Sequence, residues 1–142
     1  MIFLDNICRG YIDLQHFGVS PFGAMAIGKA METNKFICQI DFTRNMIGDN
    51  AIANFFNCLM AGNGNRTLSS VILNGNDLSH LAAKSISEYL VCGYSKIEKL
   101  DLANNCLDDQ CIELLAAALK SGKVTTFTNL DVSGNEFGGI GG

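Results

Sequence analysis

Residues 104–111, Asn-Asn-Cys-Leu-Asp-Asp-Gln-Cys, gather two thiols, two carboxylates and three side-chain amides within eight positions. Thiolates and carboxylates are metal ligands, and a thiol beside an acid–base group is the beginning of a nucleophile pair. Either chemistry needs further groups at defined places, and the rest of the chain does not offer them. The two histidines, His16 and His80, stand far apart, and none of the six cysteines (Cys8, Cys38, Cys58, Cys92, Cys106, Cys111) forms a C-x-x-C pair. No zinc-ligand spacing follows from that set. Gly62-Asn63-Gly64-Asn65 lacks the spacing of a phosphate loop and follows a helical segment rather than a strand. No catalytic residue, metal ligand or cofactor is therefore assigned.

The elements that would hold those residues repeat. Ile97, Leu100, Leu102, Asn105 and Leu107 have the spacing L-x-x-L-x-L-x-x-N-x-L, and so do Leu68, Val71, Leu73, Asn76 and Leu78. Ile37, Ile40, Phe42, Asn45 and Ile47 fit the frame, as do Phe127, Leu130, Val132, Asn135 and Phe137. A weaker copy has Ile12, Leu14 and Val19, with Arg9 and Phe17 in place of the first apolar residue and the asparagine. Equivalent positions recur after 28, 31, 29 and 30 residues.

Helical spacing follows each of the first four frames: Gly23, Ile27, Ala30 and Met31; Ala51, Phe55, Cys58 and Leu59; Ala82, Ile86, Tyr89 and Leu90; Cys111, Leu115, Ala118 and Leu119. A period of two followed by one near 3.6 predicts a short strand and then a helix in each repeat. Neither element buries its apolar side alone, so stacked neighbours must supply the core.

The pattern resembles the leucine-rich repeat family, in its long, ribonuclease-inhibitor-like class. The resemblance implies an α/β solenoid, a right-handed β-α superhelix with a parallel sheet on its concave side and helices on its convex side. Residues 1–142 form one domain in this reading: about four full repeats and a truncated fifth, starting near 9, 37, 68, 97 and 127. Ile2, Phe3, Leu4 and Ile7 are expected to form an N-terminal cap within residues 1–10. Gly141 falls where a last helix would start, leaving Val132 and Phe137 in need of cover. Part of a longer array is the expectation, with further repeats or a partner over that end.

This register assigns the opening residues structural tasks. Asn105 joins Asn45, Asn76 and Asn135 in an asparagine ladder that satisfies backbone groups where the chain leaves each strand. Cys111 shares a column of small residues with Gly23, Ala51, Ala82 and Gly141. Cys106 shares one with Gly18, Met46, Asp77 and Glu136, the mark of a solvent-facing turn. Asp49 and Asp109 read as N-cap or first-turn acids, and His80 in the same column as a surface or capping residue.

Function is then expected on the strand residues that point away from the core. These are Asp13 and Gln15; Gln39, Asp41 and Thr43; Ser70, Ile72 and Asn74; Lys99, Asp101 and Ala103; Asn129, Asp131 and Ser133. Arg44 and Asn104 lie one step nearer the turn. Asp13, Asp41, Asp101 and Asp131 form an acidic column broken by Ile72. It reads either as a solvated feature of such repeats or as a contact for a basic or mixed protein surface. No aromatic cluster marks a hot spot among these residues.

A non-catalytic scaffold for a partner protein is the leading reading. Ran GTPase-activating proteins resemble the same repeat class, so regulation of a small GTPase is an alternative, although no motif of theirs outside the frame can be matched here. A structural part of a cytoskeletal or ciliary assembly is a third. The 48% apolar and 17% charged content fits a globular chain, and a net charge of −4 argues against nucleic acid or anionic lipid as main partner. No apolar run reaches the roughly 20 residues of a spanning helix. Six thiols without an export signal suggest a cytoplasmic protein, in which the sequon Asn65-Arg66-Thr67 is silent.

Overall fold

The computed structural model describes residues 10–136. The expected cap residues Ile2, Phe3, Leu4 and Ile7, and also Phe137 and Gly141, lie outside the described residues. Strands and helices alternate: β1 (Tyr11–Asp13), α1 (Pro21–Met31), β2 (Gln39–Asp41), α2 (Asp49–Met60), β3 (Ser70–Ile72), α3 (His80–Val91), β4 (Lys99–Asp101), α4 (Asp109–Lys120) and β5 (Asn129–Asp131). The five strands form one parallel sheet in chain order. Their registers are those of the sequence frames, with Ile12, Ile40, Val71, Leu100 and Leu130 paired in turn. Each helix packs on the next and each strand pairs with the next, an architecture compatible with β-α repeats.

One hydrophobic core joins the strand residues to the helices. An aromatic chain crosses it: Phe42 meets Phe55 edge-on at 5.6 Å, Phe55 meets Phe56 at 5.3 Å, and Phe56 meets Tyr89 at 5.8 Å. Burial pushes the Tyr89 phenol well above its ordinary range, and its hydroxyl donates to the Asn65 carbonyl at 3.0 Å.

The helices differ in how much they bury. α2 and α3 have helices on both sides, and their buried arcs take in Ile52, Ala53, Phe56 and Ala83 beyond the expected columns, whereas the expected Cys58 is only half-buried. α1 and α4 have a described helix on one side only, and three residues of each are buried. In α1 these are Ala24, Gly28 and Met31, a correction to the expected Gly23, Ile27, Ala30 and Met31. The buried arc turns toward α2, where a Cβ on Gly28 would lie 3.0 Å from the Phe55 Cα. At the other end Leu130 is 36% exposed, whereas its four column mates range from 0% to 6%. Among the described residues, no helix is long and apolar enough to cross a membrane.

Candidate binding face

The strand-to-helix turns organise the open face of the sheet. In each of four repeats the last strand residue is an aspartate whose carboxylate folds back over the following turn. Asp13 accepts from the Gln15 N–H at 3.1 Å and Asp101 from the Ala103 N–H at 2.9 Å. Asp41 accepts from the Thr43 N–H and hydroxyl at 2.9 and 2.6 Å, and Asp131 from those of Ser133 at 3.0 and 2.7 Å. The hydroxyl and N–H of Ser133 hold the Asp131 carboxyl below its ordinary range. Local side-chain bonds of this kind fix a turn.

The face corrects part of the expected exposed set. Asp41, Ser70 and Ala103 are buried, at 5%, 9% and 2% exposure: Ser70 and Ala103 have short side chains that do not reach past the sheet surface, and the Asp41 carboxylate is folded down onto Thr43. Asp13, Gln39, Thr43, Ile72, Asn74 and Asp101 are half-buried, and Gln15, Arg44, Lys99, Asn104, Asn129, Asp131 and Ser133 are exposed. The outward surface is therefore richest over β4 and β5. A hollow of about 230 Å³ lies across β3, β4 and β5, lined in part by Ile72, Lys99, Asp101, Asn129 and Asp131. Asn104 joins Asn74 beside it, its side-chain N–H donating to the Asn74 side-chain Oδ1 at 3.1 Å. Asp13, Gln39, Asp41, Thr43 and Arg44 do not line the hollow.

An aromatic residue was missed at the β1 end. Tyr11 occupies the column of Gln39, Ser70, Lys99 and Asn129. It is half-buried, and burial followed by the carboxylates of Asp13 and Asp41 raises its phenol above the ordinary range. Its column was legible, but the first repeat is the degenerate one.

Behind this face runs the asparagine ladder. The Asn105 amide donates to the Leu73, Leu102 and Ala103 carbonyls at 3.1, 3.0 and 3.1 Å. Its oxygen accepts from the N–H groups of Asn76 and Leu78 at 2.9 and 3.0 Å. Asn76 accepts likewise from Asn45 and Ile47, and Asn135 from Asn105 and Leu107. Asn45 closes the series, accepting from Val19 and donating to the Leu14 carbonyl. Each rung ties one repeat to the one before it.

The helix starts hold two surprises. Asp109 sits in the first turn of α4, but the cap is Asp108, whose carboxylate accepts from the Cys111 N–H at 3.0 Å. That bond holds the Asp108 carboxyl below its ordinary range. Asp49, at the start of α2, serves the next helix instead. Its Oδ1 accepts from the Ser79 and Ala82 N–H groups at 2.7 and 2.9 Å, and its Oδ2 from the Ser79 hydroxyl and Leu81 N–H at 3.1 and 2.9 Å. His80 is exposed, Cys111 is buried, and Cys106 is half-buried, with its sulfur 3.7 Å from an Asp77 oxygen.

Two further residues were missed. Asn34 and Asn65 precede β2 and β3, and each accepts from two following N–H groups. Asn65 is 2% exposed and also donates to the Met31 carbonyl at 2.9 Å. A sugar on that nitrogen is incompatible with this packing. The shared N-x-x-[IL] spacing, Asn34 to Ile37 and Asn65 to Leu68, was the available signal. The chain matches no protein-family model.

Proposed function

We propose that the chain is a leucine-rich repeat solenoid of the ribonuclease-inhibitor-like class, acting as a non-catalytic scaffold that docks a partner protein on the concave face of its sheet. The observation that carries the reading is the hollow over β3–β5, where apolar Ile72 meets Lys99, Asp101, Asn129 and Asp131. An apolar contact ringed by exposed polar groups is the arrangement of an interface centre and rim. Asp101 and Asp131 are already held by their own turns, so docking costs little side-chain entropy there. The charges are mixed, which fits a partner carrying an acid opposite Lys99 and basic groups opposite the aspartates. Half-buried Tyr11 and Asp13 extend the same chemistry toward β1.

The test uses the chain as bait beside two variants. Ile72→Asp/Lys99→Glu/Asp131→Lys alters the face, and Lys84→Glu on α3 alters the helix layer. Proteins held by the wild type and by Lys84→Glu, but lost from the face variant with its circular dichroism unchanged, support the reading. Equal retention by all three would overturn it. Added to a Ran-type small GTPase, a scaffold of this kind leaves the rate of GTP hydrolysis unchanged.

A further inference from the structure

The net charge of −4 conceals a division between the two rims of the sheet. Because the strands are parallel and a helix returns between each pair, all helix-to-strand loops lie at one rim and all strand-to-helix turns at the other. The loops and helix ends at the strand-starting rim carry Lys29, Lys35, Arg66, Lys96, Lys120 and Lys123 against Glu32, Glu88 and Glu98. The turns and helix starts at the other rim carry Asp49, Asp77, Asp108, Asp109 and Glu136 against Arg44. Aligned helix dipoles favour that distribution, acids at helix starts and bases at helix ends.

The basic rim has two features beyond charge. Arg66 lies over the ring of Tyr94, 4.7 Å from its centroid, so residues of two neighbouring loops fix one guanidinium in place. Tyr94 in turn packs on bare backbone: a Cβ on Gly64, at φ +75°, would meet the ring. Beside it, Lys35, Glu32 and Gly62–Gly64 line a hollow of about 240 Å³, and Glu32 is already paired with Lys29 at 2.9 Å.

We propose that this rim is a second docking surface, separate from the sheet face, for a short acidic peptide segment of a partner protein. Each loop supplies one exposed cation, Lys35, Arg66, Lys96 and Lys123. Strand spacing of about 4.8 Å makes the row about 15 Å long. A held guanidinium presents its fork to a carboxylate with little further ordering. A short acidic segment fits within the row. A long polyanion continues past it over the acidic remainder of the molecule, where it is repelled.

Fluorescence anisotropy of a fluorescein-labelled tetraglutamate peptide, about 13 Å long when extended, titrated with the full chain at low ionic strength, tests the proposal. Binding is expected, weakening as salt is added. Each of Lys35→Glu, Arg66→Glu, Lys96→Glu and Lys123→Glu is expected to weaken it about threefold. Lys84→Glu, an equal change of net charge on the exposed side of α3, is expected to leave it intact, as is Lys99→Glu/Asp131→Lys on the sheet face. Arg66→Lys keeps the charge, loses the stacked fork, and is expected to weaken binding about twofold. No anisotropy change at low salt would overturn the proposal. So would equal losses from Lys84→Glu and the rim variants, or tighter binding of a single-stranded oligonucleotide of the same charge.

Discussion

The aspartate column and the asparagine column stand four residues apart at the end of the strands, and both spend their oxygens on backbone N–H groups. Their reach differs. Asp41, Asp101 and Asp131 accept from the residue two places on, inside their own repeat. Asn76, Asn105 and Asn135 accept from the preceding repeat, 27 to 31 residues away. The amide nitrogen explains why asparagine holds the second column: it also donates to carbonyls, including the preceding repeat's Leu73 for Asn105. A carboxylate has no donor to offer them. One column shapes the turn, the other couples repeats.

Removing a coupling residue is expected to have the largest effect. Asn105→Ala strips partners from the buried Asn76 and Leu78 N–H groups and from carbonyls of two repeats. A loss of about 3 kcal/mol in chemical denaturation is expected, against about 0.5–1 kcal/mol for Asp101→Ala, which frees one turn N–H. Equal losses would erase the distinction between the columns.

Asp49 mixes the two roles, standing in one helix and capping the next. Asp49→Ala is expected to cost about 1–2 kcal/mol, with extra amide hydrogen exchange at Leu81 and Ala82 of α3 rather than in α2. Loss of protection confined to α2 would show that the cross-repeat cap is not what stabilises α3.

These cases show where sequence reading was sufficient. The apolar frames fixed strand register, because only one alignment of Ile12, Ile40, Val71 and Leu100 keeps every core residue on one side. The ladder was legible for a similar reason, since an asparagine recurring amid buried residues must have backbone partners. Asp49 was not legible: a first-turn acid looks the same whether it serves its own helix or a neighbour 30 residues on. Nor was Asp41's burial, because alternation says which face a side chain takes but not how closely flanking strands cover it. The opening stretch divides along the same line. Asn105 and Cys111 follow from their columns, whereas Asp108, the helix cap, needed the backbone geometry.

Asp108 caps within its own repeat, so its effect should be local and pH-dependent. Its carboxyl is held below the ordinary range by the Cys111 N–H, so its contribution is present above the unfolded carboxyl pKa and is lost as pH falls through the lower folded value. Stability followed from pH 6 to pH 2 should therefore fall less steeply in Asp108→Asn, which still caps but does not titrate. An unchanged slope would count against this bond.

The smallest effect, with the opposite sign, is expected three residues past the aspartates. His16, Arg44 and Asn104 hold φ of 56°, 55° and 56°, and their column continues with Gly75 and Gly134 at 71° and 68°. The glycines mark a turn that demands the left-handed region, where a side chain on Arg44 is strained. The Arg44 Cγ also lies 3.0 Å from where a Cβ on Gly75 would stand, so the long side chain depends on a glycine in the next repeat. Arg44→Gly is expected to raise stability by about 0.5 kcal/mol, strain relief slightly exceeding the added freedom of the unfolded chain. Exposed at the edge of the proposed docking face, the same change should weaken any partner that pairs with its guanidinium. Lower stability in Arg44→Gly would mean that the arginine's packing across Gly75 outweighs the strain, and would class this position with the residues that couple repeats.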